Sequence, residues 1–232
     1  MRKIIISSLA AAAFMGWALP AAAQNLVANP SFEDPVLGDG GLSQDDIPDW
    51  SGTVAGFSNY GVFNNTNNIV ARDGANVAFI NATAGASRGI VQTIGVVAAG
   101  ERYDARGWFG WRADNPNTAN VALELWIGGI VSEGSITGGT RVASVAPVMV
   151  QDGWVEGAVS YVVAPADAGQ VLSIRLATTS LLGSQTNFDD VSVMKTVSTP
   201  VPTLTGWALI VLCFLFAGLA SPMIVRLGRQ EA

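Results

Sequence analysis

The stretch VALELWI, residues 121–127, alternates between two kinds of side chain. The apolar side holds Val121, Leu123, Leu125 and Ile127, whereas the other side holds Ala122, Glu124 and Trp126. Because residues two apart in a β-strand point to the same face, this stretch predicts a strand with one face in a core. The stretches YDARGWFGWR at 103–112 and VLSIRLA at 171–177 follow the same period.

Short stretches of this kind recur along the chain, separated by Gly, Asn, Asp and Pro, and helical periodicity is hard to find between them. Regularly spaced strands without intervening helices are typical of an antiparallel β-sandwich. The predicted strands cover residues 26–28, 76–80, 88–94, 102–112, 120–127, 140–145, 154–163, 170–177 and 187–194. The segment 38–68 is predicted as long loops laid over one end of the sandwich. We therefore predict an all-β fold.

The two ends of the chain are hydrophobic and differ from the rest. Residues 1–23 have a basic start, a short apolar run and an Ala-x-Ala site before Gln24, which predicts a secretory signal peptide; an uncleaved anchor is the alternative. Residues 204–225 carry no charge and would span about 33 Å as a helix. We predict a domain at 24–195, a linker at 196–202, a transmembrane helix at 203–225 and a cytoplasmic tail at 226–232. A buried core helix is the alternative for the second apolar run.

Charge and residue usage restrict the function of the exported part. Arg226 and Arg229 follow the second apolar run, so the positive-inside rule places the domain outside an inner membrane. The exported part has eight basic residues (the 12 of the chain less four at its ends) and 17 acidic ones (18 less Glu231). This excess of acid argues against nucleic acid or anionic lipid as a partner. The chain has no histidine, and its one cysteine, Cys213, lies in the predicted span, which excludes histidine-based triads and disulfides from the domain.

Six motifs in order resemble the galactose-binding-like jelly rolls, which include carbohydrate-binding modules. They are NLVANPSFEDP at 25–35, IPDW at 47–50, DGANVAFI at 73–80, VQTI at 91–94, GQVLSIRL at 169–176 and NFDDVSV at 187–193. The resemblance implies a jelly-roll sandwich and carbohydrate binding. Pro30 and Asp49 stand where members of that family more often have glycine.

The stretch VPTLTGWALI at 201–210, followed by an apolar run and arginines, resembles the IPTL-CTERM sorting signal of Gram-negative envelopes, a relative of PEP-CTERM signals. The residues that carry this resemblance are Pro202, Thr203, Leu204 and Trp207. It implies a sorting protease of the exosortase type as partner and transfer to the cell surface or extracellular matrix. Gly206 stands where an acidic residue is common, and a permanent single-span anchor is the alternative.

Carboxylates stand beside phenylalanine at both ends of the domain, in Phe32-Glu33 and in Phe188-Asp189-Asp190. In a jelly roll of this kind the first and last strands lie side by side, so the acids can meet, and a hard cation would relieve their repulsion. We predict a structural calcium bound by Glu33 and Asp190, with Asp190 preferred to Asp189 unless a bulge reverses them. The alternative is that the acids accept hydrogen bonds from backbone amides. Both phenylalanines are predicted to lie in the core.

The strands at 102–112 and 120–127 are consecutive and are predicted to pair. Their polar faces would then form one ligand-binding surface of Trp108, Trp126, Arg106, Arg112 and Glu124. Exposed tryptophan beside Arg and Glu suits sugar rings. The alternative is that the loops of 38–68 cover both tryptophans. Trp50 and Trp154 are predicted to be core or corner residues.

These observations predict an exported, non-catalytic cell-surface protein that binds carbohydrate, either exopolysaccharide or cell-wall glycan. The alternative is a structural or adhesive envelope protein that makes protein–protein contacts without sugar. A glycosidase would need two carboxylates about 5–9.5 Å apart across a cleft, and nothing in the context of Glu124 or Asp104 marks them for this role. We therefore predict that the protein is not an enzyme.

Overall fold

The computed structural model describes residues 24–52, 60–64, 68–81, 87–115, 119–180 and 184–197, together with residues 210, 211, 213 and 214. Within these residues, the domain is built from strands and one short 3-10 helix, Pro165–Asp167. The strands are β1 Leu42–Gln44, β2 Ser51–Gly52, β3 Tyr60–Phe63, β4 Val77–Asn81, β5 Ser87–Val96, β6 Glu101–Trp111, β7 Ala119–Ile127, β8 Ile130–Ser132, β9 Ser135–Thr137, β10 Thr140–Val145, β11 Gly153–Val162, β12 Val171–Ser180 and β13 Gln185–Val197.

Two antiparallel sheets form a sandwich, which confirms the predicted all-β sandwich. The first sheet has the strand order β1-β3-β4-β13-β6-β11, and the second sheet has the order β10-β7-β12-β5-β2. The remaining strands, β8 and β9, form a separate hairpin. Both sheets have an inner face toward the core and an outer face away from it.

The inner faces carry the apolar side chains that the alternation predicted. Leu123, Leu125, Leu172, Ile174 and Leu176 are fully buried in the second sheet. The predicted core position of both flanking phenylalanines is confirmed, since Phe32 and Phe188 have no exposed surface. Phe188 meets Phe109 edge-on, with ring centroids 5.5 Å apart, which joins two neighbouring strands of the first sheet within the core.

The predicted pairing of the strands at 102–112 and 120–127 is wrong. The first of them, β6, lies between β13 and β11 in the first sheet, whereas β7 lies between β10 and β12 in the second. The chain therefore crosses from one sheet to the other between these two strands. Consecutive strands of a sandwich need not be neighbours in a sheet, and sequence order alone misplaces them.

Two other predictions on strands are also wrong. The segment 38–68 contains the short strands β1, β2 and β3 rather than loops alone. Residues 26–28 form no strand, although the backbone of Asn25 bridges to Met194 and the Leu26 amide donates to the Val193 carbonyl at 2.9 Å. The first and last segments of the domain thus lie side by side as predicted.

The predicted signal peptide at 1–23 lies outside the described residues. So do most residues of the predicted linker and C-terminal segment, including Pro202, Thr203, Leu204 and Trp207. The four residues described in that segment are helical. Within the described ranges, the structure contains no helix with the length and apolarity required to span a membrane.

Candidate functional site

A segment that we call the strap, residues 68–76, crosses the outer face of the first sheet. It runs over β13, where Gln185, Asn187 and Asp189 alternate with the inward-facing Thr186 and Phe188. The side chains of Asn187 and Asp189 have no exposed surface. The strap, and not a second sheet, therefore shields Asn187 and Asp189 from solvent.

Two carboxylates hold the strap by its backbone. Asp189 Oδ2 accepts hydrogen bonds from the Arg72 and Asp73 amides at 2.6 and 3.1 Å, and Oδ1 accepts one from the Asp190 amide at 2.7 Å. Glu33 Oε1 accepts from the amides of Ala75 and Asn76 at 2.8 and 2.7 Å. The acids at both ends of the domain thus bind backbone amides, which is the alternative that the sequence left open.

Burial raises the pKa of Asp189 from its usual 3.8 to about 7. The three amide donors act in the opposite direction, because they stabilise the charged carboxylate, and the charge of Asp190 adds a smaller upward effect. Desolvation outweighs the hydrogen bonds. Asp189 therefore titrates near neutral pH while it holds the strap.

Asp189, and not Asp190, is the acid of this pair that accepts hydrogen bonds from the strap. A β-bulge lies between Asp189 and Ser192, and Asp190 has a φ of 48° and an exposed side chain. The bulge reverses the expected facing of the pair. Across the described ranges, no group of three or more His, Cys, Asp or Glu side chains is suitable for a metal ion. Calcium bound by Glu33 and Asp190 stays a prediction, which calorimetric titration of the EDTA-treated protein with CaCl2 tests.

Aromatic and apolar contacts fix the rest of the strap. Trp154 Nε1 donates to the Val70 carbonyl at 2.9 Å, which ties the strap to β11. A Cβ on Gly110 would lie 2.6 Å from Ile69 and 2.8 Å from the Trp154 ring, so the strap rests on a position without a side chain. The Arg72 guanidinium carbon lies 3.9 Å above the Trp108 ring. Trp108 is therefore covered by the strap.

The five residues of the predicted binding surface do not come together. Trp108, Arg106 and Arg112 belong to the first sheet or its edge, whereas Trp126 and Glu124 belong to the second sheet. Arg106 forms an exposed ion pair with Glu156 at 3.4 Å. The predicted single surface is wrong because it depended on the pairing of β6 with β7.

Glu124 is 4% exposed and lies on the outer face of the second sheet, at the centre of a cluster of hydrogen-bond donors. It accepts hydrogen bonds from Arg141 at 2.8 Å, Arg175 at 3.0 Å and Trp126 Nε1 at 2.9 Å. Burial acts to raise the pKa of Glu124, but these donors outweigh it, so the pKa is lower than usual. Glu124 is a charged structural residue.

A pocket of about 260 Å³ lies on the outer face of the first sheet, at the end of β13. Its walls include two phenylalanines, Phe63 and Phe79, whose ring centroids are 5.8 Å apart at an angle of 55°. The other lining residues are Gly40, Gly41, Leu42, Gln44, Asn68, Asn81, Arg112 and Gln185. The pocket thus has two largely buried aromatic rings in its lining, beside polar groups.

A chain of hydrogen bonds fixes the polar wall of this pocket. Arg112 Nη1 donates to Gln185 Oε1 at 2.8 Å, and Gln185 Nε2 donates to Asn81 Oδ1 at 2.9 Å. Asp114 accepts from Arg112 Nε and Nη2 at 2.8 and 2.5 Å, and these bonds lower the pKa of Asp114. The guanidinium carbon of Arg112 lies 5.9 Å from the Phe63 ring centroid. The arginine, glutamine and asparagine side chains are therefore held in one orientation.

Sequence reasoning selected Arg112 and missed the other residues of the pocket. Phe63 belongs to β3, which was predicted as loop. Phe79 lies in the apolar run Val77–Ile80, whose residues are buried on both faces of the strand. A continuous apolar run indicates that both faces are covered, and this was the available signal for a packed outer face.

The profile of one protein family, HpiC1-like, described as HpiC1 cyclase, matches residues 23–194, which is all but the last residue of the predicted domain at 24–195. The chain belongs to the HpiC1-like cyclase family. The prediction of a non-catalytic protein is therefore wrong. The missing histidines exclude particular catalytic groups, and they do not exclude catalysis.

Solved structures share the fold of this HpiC1-like chain. A Stig cyclase, Fisc from Fischerella sp. TAU, in complex with (3Z)-3-(1-methyl-2-pyrrolidinylidene)-3H-indole, is 21% identical, with a TM-score of 0.65, covering 76% of this chain and 99% of that one. A cyclase from the same source in complex with 4-(1H-indol-3-yl)butan-2-one is 21% identical, with a TM-score of 0.62, covering 74% and 96%. Tailspike protein 4 of bacteriophage CBA120 is 16% identical, with a TM-score of 0.51, covering 74% and 21%. At these identities the likeness is one of fold.

A second profile, the IPTL-CTERM motif, matches residues 199–224 of the HpiC1-like chain. The resemblance drawn from VPTLTGWALI is confirmed, and the motif indicates an exported protein. No curated protein matches the chain significantly.

Proposed function

We propose that this protein is an exported cyclase that binds a small, ring-bearing organic substrate in the pocket of Phe63, Phe79 and Arg112. The main support for this proposal is that two aromatic rings line the pocket beside the hydrogen-bonded side chains of Arg112, Gln185 and Asn81. The domain that holds the pocket belongs to a cyclase family. A pocket of about 260 Å³ suits part of a small molecule rather than a polymer.

Each wall has a distinct role in this proposal. Ring closure within one molecule requires its two reacting atoms to be held together, and a shaped apolar surface supplies that placement. The rings of Phe63 and Phe79 would pack against the flat part of the substrate. Arg112, oriented by Asp114 and Gln185, would bind an acceptor atom of the substrate and fix its direction in the pocket.

The first test uses 4-(1H-indol-3-yl)butan-2-one, because it carries an aromatic ring and a carbonyl acceptor. Its binding to the full-length chain in detergent is measured by isothermal titration calorimetry. Phe79→Ala and Arg112→Met should each weaken binding about tenfold, since each removes one principal contact. Arg106→Met removes an exposed arginine from the same face and should leave binding unchanged. If Arg112→Met and Arg106→Met bind the compound equally well, the compound does not bind in this pocket.

Glycan binding is the second candidate, because aromatic rings beside amide and guanidinium groups also suit sugars. Native affinity electrophoresis of the chain through gels that contain polysaccharides, with calcium and with EDTA, tests it. Retardation that Phe79→Ala abolishes would favour this candidate over the cyclase. Retardation that Phe79→Ala does not change would place any glycan elsewhere on the domain.

For the C-terminal segment, we propose that a sorting protease of the exosortase type recognises Pro202, Thr203, Leu204 and Trp207. The match of the IPTL-CTERM motif supports this proposal. The intact mass of the protein recovered from the cell surface tests it. A mass that lacks the C-terminal segment is expected, and Pro202→Ala should leave the full-length form in the membrane. Recovery of the full-length form alone would favour a permanent anchor.

A further inference from the structure

The half-buried guanidinium of Arg88 forms no ion pair with any residue that the structure describes. Arg88 lies on β5 directly opposite Thr178 of β12, and it shares the inner face with Ile90, which is fully buried in the core. Its side chain therefore points between the two sheets, at the end of the sandwich where β4 leads to β5 and β12 leads to β13.

Two donor atoms of Arg88 are buried without an acceptor. Within the described part of the chain, neither Nε nor Nη1 has a hydrogen-bond partner, although both are shielded from solvent. Leaving buried donors of a charged group unpaired is strongly unfavourable, and such a group calls for a ligand or ion to explain it. The residue as a whole is only partly buried, so this end of the sandwich gives access to it.

The stretches of sequence between the strands next to Arg88 supply no acid to neutralise it. Residues 53–59, 82–86, 116–118 and 181–183, which stand between successive strands in the sequence, contain no Asp or Glu. Asp114, which follows β6 at the same end, is engaged by Arg112. The positive charge must therefore be balanced by something other than these segments.

Another arginine shows how this protein satisfies a buried guanidinium when the purpose is structural. Arg175 donates to Glu124 at 3.0 Å, to the Gly134 carbonyl at 3.0 Å and to Ser87 Oγ at 3.0 Å. Nothing comparable surrounds Arg88 among the described residues. The difference points to a group from outside the chain.

Two hydroxyl groups lie beside Arg88 in the space between the sheets. Thr178 Oγ1 and Thr186 Oγ1 are 3.0 Å apart and fully buried, and they join β12 of the second sheet to β13 of the first. The pair has two hydroxyl hydrogens, and the bond between the two oxygens uses one of them. The second can be donated to an acceptor next to the guanidinium.

We propose that Arg88, with the Thr178–Thr186 pair, forms a binding site for an oxyanion, either the carboxylate or the phosphate group of a small molecule. A guanidinium fork and a hydroxyl donor match the acceptor atoms of both groups. This site lies on the inner side of the sheets, whereas the Phe63–Phe79 pocket lies on the outer face of the first sheet. The two sites are independent, so either can fail without the other.

The test measures thermal unfolding of the full-length chain in detergent against increasing phosphate or acetate, with chloride replaced at constant ionic strength. We expect the unfolding temperature of the wild type to rise with at least one of these anions. Arg88→Met keeps the aliphatic stem and should raise the apparent Kd about tenfold or more, since it removes charged hydrogen bonds. Arg106→Met, the control, should respond as the wild type does.

The outcomes are distinct. A response to acetate alone identifies a carboxylate site, and a response to phosphate alone identifies a phosphate site. If Arg88→Met does not fold, Thr178→Val tests the same site, because it removes a hydroxyl and keeps the guanidinium; weaker anion binding is expected. No response of the wild type to either anion, or an equal response by Arg88→Met or by a folded Thr178→Val, would overturn the proposal.

Discussion

The outer faces of the two sheets are covered in different ways. On the second sheet the β8–β9 hairpin lies over Gly89 and Arg175, and Arg175 Nε donates to the Gly134 carbonyl of the hairpin at 3.0 Å. The same guanidinium forms a buried ion pair with Glu124 on the neighbouring strand β7, which keeps it in place under the hairpin. On the first sheet the strap is held by Asp189 and Glu33, whose carboxylates accept hydrogen bonds from backbone amides. One covering is held by a guanidinium that donates to a backbone carbonyl, and the other by carboxylates that accept hydrogen bonds from backbone amides.

This difference gives the two coverings opposite responses to pH. The pKa of Glu124 is lower than usual, so the stability that it contributes is present above its usual pKa and is lost as the pH falls below it. The pKa of Asp189 is raised from 3.8 to about 7, so its contribution is present below pH 4 and declines as the pH rises toward 7. As the pH rises from 4 to 7, the stability contributed by Asp189 therefore falls, whereas that contributed by Glu124 does not.

Removal of the charge of Glu124 should have the largest effect. Glu124→Gln leaves Arg175 buried without a carboxylate, and the free energy of unfolding should fall by about 3–5 kcal/mol. Chemical denaturation of the variant measures this. Glu156→Gln is the matched control, because its partner Arg106 is exposed; its expected loss is below about 1 kcal/mol. Equal losses for the two variants would show that the buried Glu124–Arg175 pair contributes no more stability than the exposed Glu156–Arg106 pair.

Asp189→Asn should weaken the strap by about 1–3 kcal/mol, because an amide NH2 would face one of the three backbone donors. The difference in unfolding free energy between wild type and variant should shrink as the pH rises from about 4 to 7, since the wild type loses the contribution of its protonated acid. Denaturation at a series of pH values measures it. A difference that grows over this range would show that the folded carboxyl has a lowered pKa instead.

Gly110→Ala tests the contact between the strap and the sheet. Its Cβ would lie 2.6 Å from Ile69 and 2.8 Å from the Trp154 ring, so we expect a loss of about 1–3 kcal/mol. Gly107→Ala, on the same strand, is the control, because its Cβ would meet no atom nearer than 3.6 Å. If thermal unfolding shows that both substitutions are tolerated equally, the strap does not rest on Gly110.

Trp154→Phe should have the smallest effect. It removes the hydrogen bond to the Val70 carbonyl and keeps an aromatic ring, so the expected loss is about 1 kcal/mol. Hydrogen exchange of the strap amides should rise in this variant, while exchange in the β8–β9 hairpin stays at the wild-type rate. Faster exchange in both coverings would mean that they are not independent.

Much of the fold follows from local pattern. The alternation at 121–127 and at 171–177 fixes which side chains of β7 and β12 enter the core, because a two-residue period has one interpretation in a half-buried strand. The short strands β2 and β3 lack such a pattern. Gly52 lies against the Tyr60 ring and Gly61 lies near the Phe79 ring. These strands therefore form through contacts between distant parts of the chain, which a local pattern does not show.

The site was harder to predict than the fold, since it depends on register and on which strands are neighbours. Trp108 and Trp126 appeared to share a surface only because β6 and β7 follow each other in sequence. The hydrogen bonds among Arg112, Gln185 and Asn81 join the ends of three strands, and the sequence does not show that these ends meet. The β8–β9 hairpin was missed because its turn, Glu133-Gly134, lacks the usual Asn or Asp before glycine.

The measurement that tests the central claim most directly is a crystal structure of the protein soaked with 4-(1H-indol-3-yl)butan-2-one. We expect the indole ring to lie against Phe63 and Phe79, with its carbonyl oxygen within hydrogen-bonding distance of Arg112. Density for the compound elsewhere in the domain, or none at millimolar concentration, would contradict the assignment of this pocket as the substrate site.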